Sequence, residues 1–116
     1  MDIRRETSSY NQRRYGRPWI AKVVIKDGTL SYQWGQWIGD HSNGSEGLLV
    51  LTDVTPGTVY AQGQRDTRTL ANSAPEFFVL GADGSDKYIS KSEAYKLLIA
   101  ATAEVDESIA GIGIGA

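Results

Sequence analysis

Residues 19–34 alternate apolar and polar side chains on both sides of Asp27-Gly28, and this pattern commits the chain to antiparallel β structure. Asp and Gly both tolerate positive φ, so the dipeptide is hairpin-turn chemistry. On the first strand, Trp19, Ala21, Val23 and Ile25 share one face and Ile20, Lys22 and Val24 the other. The second strand runs from Leu30 to Ile38, with Leu30, Tyr32 and Trp34 opposite Ser31 and Gln33. Gly35 interrupts that alternation before Trp37 and Ile38 resume it. A glycine there predicts a bulge or a close approach by another group, a bend, and a change in which side faces inward.

The same period continues downstream. Gly47 to Val54 is apolar on both faces and reads as a central strand, and Thr55-Pro56-Gly57-Thr58 has type II turn chemistry. Strands are expected from Val59 to about Gln64, from Glu76 to Leu80 and from Lys87 to Ile89, the last two separated by the turn Ala82-Asp83-Gly84-Ser85. Ser90-Lys91-Ser92-Glu93 is a capping box that opens a helix in which Ala94, Leu97, Leu98 and Ala101 form a stripe widened by Tyr95 and Ile99. The predicted fold is mainly β (α+β): about six short antiparallel strands in a bent sheet or small open barrel, with one C-terminal helix. A length of 116 residues suits a single domain 1–116. It divides into a basic N-terminal arm (1–16), a β body (17–89), the helix (90–105) and a tail (106–116). The arm lacks a sustained period and is expected to be extended.

Charge is close to balance at −2, which disfavours a protein held to polyanions by bulk charge. Its distribution is uneven. Through Lys26 seven basic residues outnumber Asp2 and Glu6, leaving +5, and the rest of the chain carries −7. The absence of Cys removes disulfides, thiolate metal sites and cysteine nucleophiles. No apolar run approaches the roughly 20 residues that span a bilayer, and no signal-peptide pattern opens the sequence, so a cytoplasmic protein is expected. The single histidine, His41, lies in a polar Gly39–Gly47 loop without a ligating companion, so no metal is expected. No glycine-rich phosphate loop, nucleophile with its base, or carboxylate pair is apparent. The chain therefore reads as a binding protein rather than an enzyme, with no cofactor.

Two polar clusters suit a phosphate-bearing aromatic partner. The first interleaves guanidinium groups and rings: Tyr10, Arg13, Arg14, Tyr15, Arg17 and Trp19. Arg matches phosphate oxygens and stacks on ring faces, while Tyr and Trp offer platforms for a base. The second is Gln64, Arg65, Asp66, Arg68 and Asn72. If the strand continues past Gln64, then Gln64, Asp66 and Arg68 share a side, Asp66 orients Arg68, and the Gln64 and Asn72 amides read a base edge. The alternative is that Asp66 pairs with an arginine to pin a long loop.

The segments Tyr-Asn-x-Arg-Arg-Tyr-x-x-Pro-Trp-Ile-Ala-Lys-Val (10–23), Trp-Gly-x-Trp-Ile-Gly-Asp (34–40), Val-x-Pro-Gly (54–57), Gly-Gln-Arg-Asp-x-Arg (63–68) and Ser-Glu-Ala-Tyr-Lys (92–96) look like a group of small proteins encoded by phages and integrated elements. In size, β-rich body and its mixture of aromatics, arginines and asparagine, the chain also resembles the first described class of phage Thoeris anti-defence proteins. Those sponges hold cyclic ADP-ribose isomers and related signalling nucleotides in pockets between subunits. The resemblance implies a homo-oligomer in the host cytoplasm that sequesters a signalling nucleotide, a cyclic ADP-ribose isomer or a cyclic oligonucleotide, at a subunit interface. Arg17, Arg65 and Arg68 would hold the diphosphate, Trp19 or Tyr60 would stack on the base, and Asn72 would read base or ribose. The competing expectation is an inhibitor of a host defence protein such as a CRISPR nuclease, or a single-stranded nucleic-acid binder working through Tyr10, Arg13, Arg14 and Tyr15.

Overall fold

The computed structural model describes residues 1–39, 47–66 and 68–101, apart from the side chains of Ser9, Asn11 and Arg13. The Gly39–Gly47 loop with His41, the end of the helix and the tail therefore lie mostly outside the described residues. Eight described strands build two antiparallel sheets. The larger has the order β3-β2-β6-β7-β8: β2 (Arg17–Lys26), β3 (Thr29–Trp34), β6 (Val59–Arg65), β7 (Glu76–Leu80) and β8 (Asp86–Ile89). The smaller has the order β1-β5-β4: β1 (Ile3–Thr7), β4 (Gln36–Gly39) and β5 (Gly47–Leu51). The mainly β class with a C-terminal helix is the observed one, in the form of two open sheets.

Turn chemistry sets the hairpins. Asp27 and Gly28 both adopt positive φ, at 52° and 77°, and join β2 to β3 with Lys26 opposite Thr29. Gly57, at φ 89°, completes the turn in which Thr58 N–H donates to the Thr55 carbonyl at 3.0 Å.

The expected bend at Gly35 is a change of sheet. Trp34 still pairs with Ala21, whereas Gln36 already pairs with Val50 on β5. Between them Gly35 N–H donates to the Ile20 carbonyl at 2.8 Å. A β-carbon on Gly35 would lie 2.5 Å from the Val50 carbonyl oxygen. The lack of a side chain is thus what lets the strand pass between the two sheets.

Two apolar layers follow from strand alternation. Between the sheets lie Ile3, Ile20, Leu49, Leu51, Val54, Tyr60 and Leu80, with Trp37 and Phe78 against them. On the opposite face of the larger sheet Val23, Val59, Ala61, Phe77 and Ile89 meet Ala94 of α2, the helix described over residues 91–101. Consecutive residues Phe77 and Phe78 thereby serve different layers. Ser90 caps α2, its Oγ accepting the Glu93 N–H at 3.1 Å. Of the predicted stripe, Ala94 is fully buried and Leu98 half-buried, but Leu97 remains 49% exposed.

The N-terminal arm departs from expectation. Ile3 to Thr7 pair with Leu51 to Gly47 as an edge strand, and Ile3 is buried. Residues Ser9–Tyr15 form a two-turn helix, α1, closed by the Gly16 N–H donating to the Gln12 carbonyl at 3.0 Å. The strand escapes sequence reading because one buried isoleucine among charged neighbours carries no period; β5 supplies its hydrogen bonds and its apolar cover.

Candidate functional site

The β2–β6 ladder gathers residues that are far apart in sequence. Arg17 pairs with Arg65, Pro18 with Gln64 and Trp19 with Gly63. An isolated bridge then sets Arg65 opposite Asn72. Five of the expected ligand residues, Arg17, Trp19, Gln64, Arg65 and Asn72, therefore meet at one end of the larger sheet. Beside them lies a cleft of about 340 Å³, whose walls include Arg5, Glu6, Trp19, Gln64, Ser73 and Glu76.

Local interactions fix this end. Gln64 N–H donates to Ser73 Oγ at 2.9 Å, and Ser73 N–H donates to the Gln64 carbonyl at 2.7 Å. Gly16, at φ 94°, runs directly beneath the Arg65 carbonyl, so α1 is joined to the ladder where a side chain could not fit. The Trp19 ring lies over Gly63, which offers no β-carbon to displace it. Its Nε1 is buried without a hydrogen-bond partner.

Arg17 and Arg65 are like charges directly opposite each other, an arrangement that is destabilising unless the groups find other company. The Arg17 guanidinium lies 4.6 Å from the Trp37 ring centroid, and Arg65 Nε donates to the Leu70 carbonyl at 3.2 Å. The Arg65 contact engages Nε and leaves its terminal guanidinium donors able to meet an anion.

Asp66 does not act as expected. The strand ends at Arg65, and the Asp66 carboxylate turns back to accept the backbone N–H groups of Arg68 at 2.7 Å and Thr69 at 3.0 Å. This is an Asx-type loop brace, completed by the Asp66 N–H donating to the Ala71 carbonyl. The Arg68 side chain is 90% exposed, with Nε 3.9 Å from Asp66 Oδ1, a loose surface pair. Asp66 thus braces the loop, but through backbone amides rather than through the arginine pair of the alternative reading. The two amide bonds hold the Asp66 carboxyl below its ordinary range. Acidification should therefore release the Arg68 and Thr69 amides only below the pH at which unperturbed aspartates protonate. Amide proton shifts followed through a pH titration check this, and a midpoint at or above that of exposed aspartates would contradict it.

Tyr60 also departs from its expected role. Its ring is completely buried between the sheets and stacks on Phe78 with centroids 5.3 Å apart. Its hydroxyl accepts from Arg5 at 3.0 Å, while Arg5 forms an ion pair with Asp86. A residue at the centre of the core offers no face to a ligand. Arg5 was invisible as a structural residue because its partners lie 55 and 81 positions away.

Two aromatic groupings remain at the surface. Trp34, 60% exposed, stacks on Tyr32 with centroids 5.7 Å apart, and Trp19 meets both rings edge-on. The i, i+2 spacing of Tyr32 and Trp34 was the available signal for this cluster. On α1, Arg14 donates to the Tyr10 hydroxyl at 2.6 Å, and its guanidinium lies 5.4 Å from the Tyr15 ring centroid. The Arg13 side chain lies outside the described residues. Among the described residues, no group of three or more His, Cys, Asp or Glu could hold a metal ion, and no helix is long and apolar enough to cross a membrane.

Neither a protein-family model, a curated protein nor a solved structure matches the chain.

Proposed function

We propose that this protein binds and sequesters a signalling nucleotide without turning it over, as a phage anti-defence sponge for a cyclic ADP-ribose isomer or a cyclic oligonucleotide. The observation that carries this reading is the placement of Arg17 directly opposite Arg65 beside a cleft of about 340 Å³, a volume at the lower end of small-molecule sites. A diphosphate held at this end would gain charge-assisted hydrogen bonds from Arg65 and the favourable field of the Arg17 charge. Trp19, Gln64 and Ser73 then supply a ring, an amide and a hydroxyl to the adjoining base or ribose. Glu6 and Glu76 on the cleft walls favour the hydroxyl- and amino-bearing part of the ligand inside the cleft and leave the phosphates to the arginines. A second subunit closing over this end would add the burial that tight binding needs.

Titration calorimetry with cyclic ADP-ribose isomers and cyclic dinucleotides tests the reading. Arg65→Ala should weaken binding about tenfold or more, in keeping with loss of a charge-assisted contact, and leave the exposed loop folded. Absence of binding by every such nucleotide, in a protein whose native mass carries no retained ligand, would remove the proposal.

A second reading rests on the exposed Trp34–Tyr32 stack and on Arg14 between Tyr10 and Tyr15: stacking of successive bases of a single strand. Salt separates the two. A strand contacting many phosphates should dissociate steeply as salt rises, whereas a single diphosphate in a cleft should respond weakly.

A further inference from the structure

A second, larger cavity lies where α2 begins beside the β2–β3 hairpin. It measures about 760 Å³ and is walled by Gly28, Leu30, Tyr32, Lys91, Tyr95 and Lys96, with the hydroxyl-bearing Thr29 and Ser92 at its margin. We propose that this cavity is a binding site for a small aromatic anion, a flat ring system carrying a phosphate or carboxylate. The proposal does not depend on the nucleotide reading of the β2–β6 end.

The walls are held in place. The Tyr95 hydroxyl donates to the Gly28 carbonyl at 3.1 Å, tying the first turns of α2 to the tip of the hairpin 67 positions earlier. Tyr32 is braced from behind by its stack on Trp34 and its edge contact with Trp19. Leu30 and Tyr32 are packed against the layer that Ala94 and Leu98 cover, so the floor belongs to the core. A ring entering the cavity meets Leu30, Tyr32 and Tyr95, an apolar and aromatic lining that stabilises flat ligands by burial and offset stacking.

Charge selects the ligand's sign. Among the described residues that wall the cavity, Lys91 and Lys96 are the charged side chains; the nearest carboxylate on α2, Glu93, lines an adjoining pocket with Lys96 rather than this one. This contrasts with the cleft at the β2–β6 end, where Glu6 and Glu76 accompany Arg5. Two exposed lysines on the wall of a largely apolar cavity complement an anion placed at the edge of a ring, each ammonium acting as a point charge with rotatable donors. The Thr29 and Ser92 hydroxyls can add neutral hydrogen bonds. A volume of about 760 Å³ accommodates a body larger than a single ring.

Phenyl phosphate, phenol and inorganic phosphate are the discriminating probes, with amide chemical shifts of the full-length protein as the readout. Phenyl phosphate should give saturable shifts centred on Gly28, Thr29, Ser92 and Lys96. Phenol and inorganic phosphate should each bind at least about tenfold more weakly, because each lacks one half of the recognition. The double variant K91A/K96A should lose about tenfold or more in phenyl phosphate affinity. Both lysines are exposed, and an unchanged amide spectrum elsewhere verifies that the variant is folded. Shifts centred instead on Gln64 and Ser73, equal binding of phenol, or undiminished affinity in the double lysine variant would overturn the proposal. So would the absence of saturable shifts.

Discussion

Gly35→Ala should destabilise the protein by about 3 kcal/mol or more, well beyond the usual helix or strand penalty for exchanging these two residues. The added methyl would stand 2.5 Å from the Val50 carbonyl oxygen and 2.8 Å from Ile20 Cγ2. The isoleucine can shift its side chain, but the carbonyl belongs to the central strand of the smaller sheet. Relief therefore requires moving β5 or breaking the Gly35 N–H bond to Ile20. Denaturant unfolding followed by tryptophan fluorescence measures the effect, since Trp34 and Trp37 flank the crossing. A loss below about 1 kcal/mol would mean that the chain does not pass between the sheets at this residue.

Tyr60→Ala should cost about 4 kcal/mol, within the range for emptying a buried aromatic site. The side chain is fully buried among the residues that join the two sheets, and its removal would leave Phe78 without its stacking partner. Tyr60→Phe should cost about 1 kcal/mol, because only the hydrogen bond from Arg5 is lost and Arg5 keeps Asp86. The phenylalanine variant also isolates a pH effect. Burial raises the Tyr60 hydroxyl above its ordinary value of 10.0, and nearby Arg5 offsets only part of that rise. An acid whose folded-state pKa is raised stabilises the fold fully at lower pH. That contribution falls once the pH exceeds the ordinary tyrosine value and the unfolded chain ionises more readily. The wild-type protein should therefore lose stability above about pH 10 more steeply than Tyr60→Phe, with Tyr32, raised for the same reason, contributing equally in both. Nucleotide affinity unchanged in Tyr60→Phe would agree with its place in the core. A large loss of affinity at preserved stability would contradict it.

The contrast between Tyr60 and Trp19 shows how far residue chemistry reaches. Both are aromatics on neighbouring strands, in register positions three apart along the β2–β6 ladder. Their sequence contexts do not distinguish a ligand platform from a core residue. The difference is that Tyr60 faces the smaller sheet, whereas Trp19 lies toward the open end on the opposite face, over a glycine. The two readings of Asp66 were both open in the sequence for a similar reason. Alternation extends only as far as the strand, and the point where the strand yields to the Asx-type turn is set by the Arg65–Asn72 bridge.

Local signals carried the hairpin at Asp27-Gly28, the turn at Gly57, the start of α2 at Ser90 and the faces of β2, because each depends on residues within a few positions of one another. Even the central position of β5 was visible, as apolar residues on both of its faces. What the tertiary structure decided was the partition of the strands into two sheets at Gly35, the recruitment of residues 3–7 as an edge strand, and the meeting of Arg17 with Arg65. These arrangements join segments through backbone hydrogen bonds and contacts between distant side chains. Backbone groups are the same in every non-proline residue, so such pairings leave almost no imprint on the residues that make them.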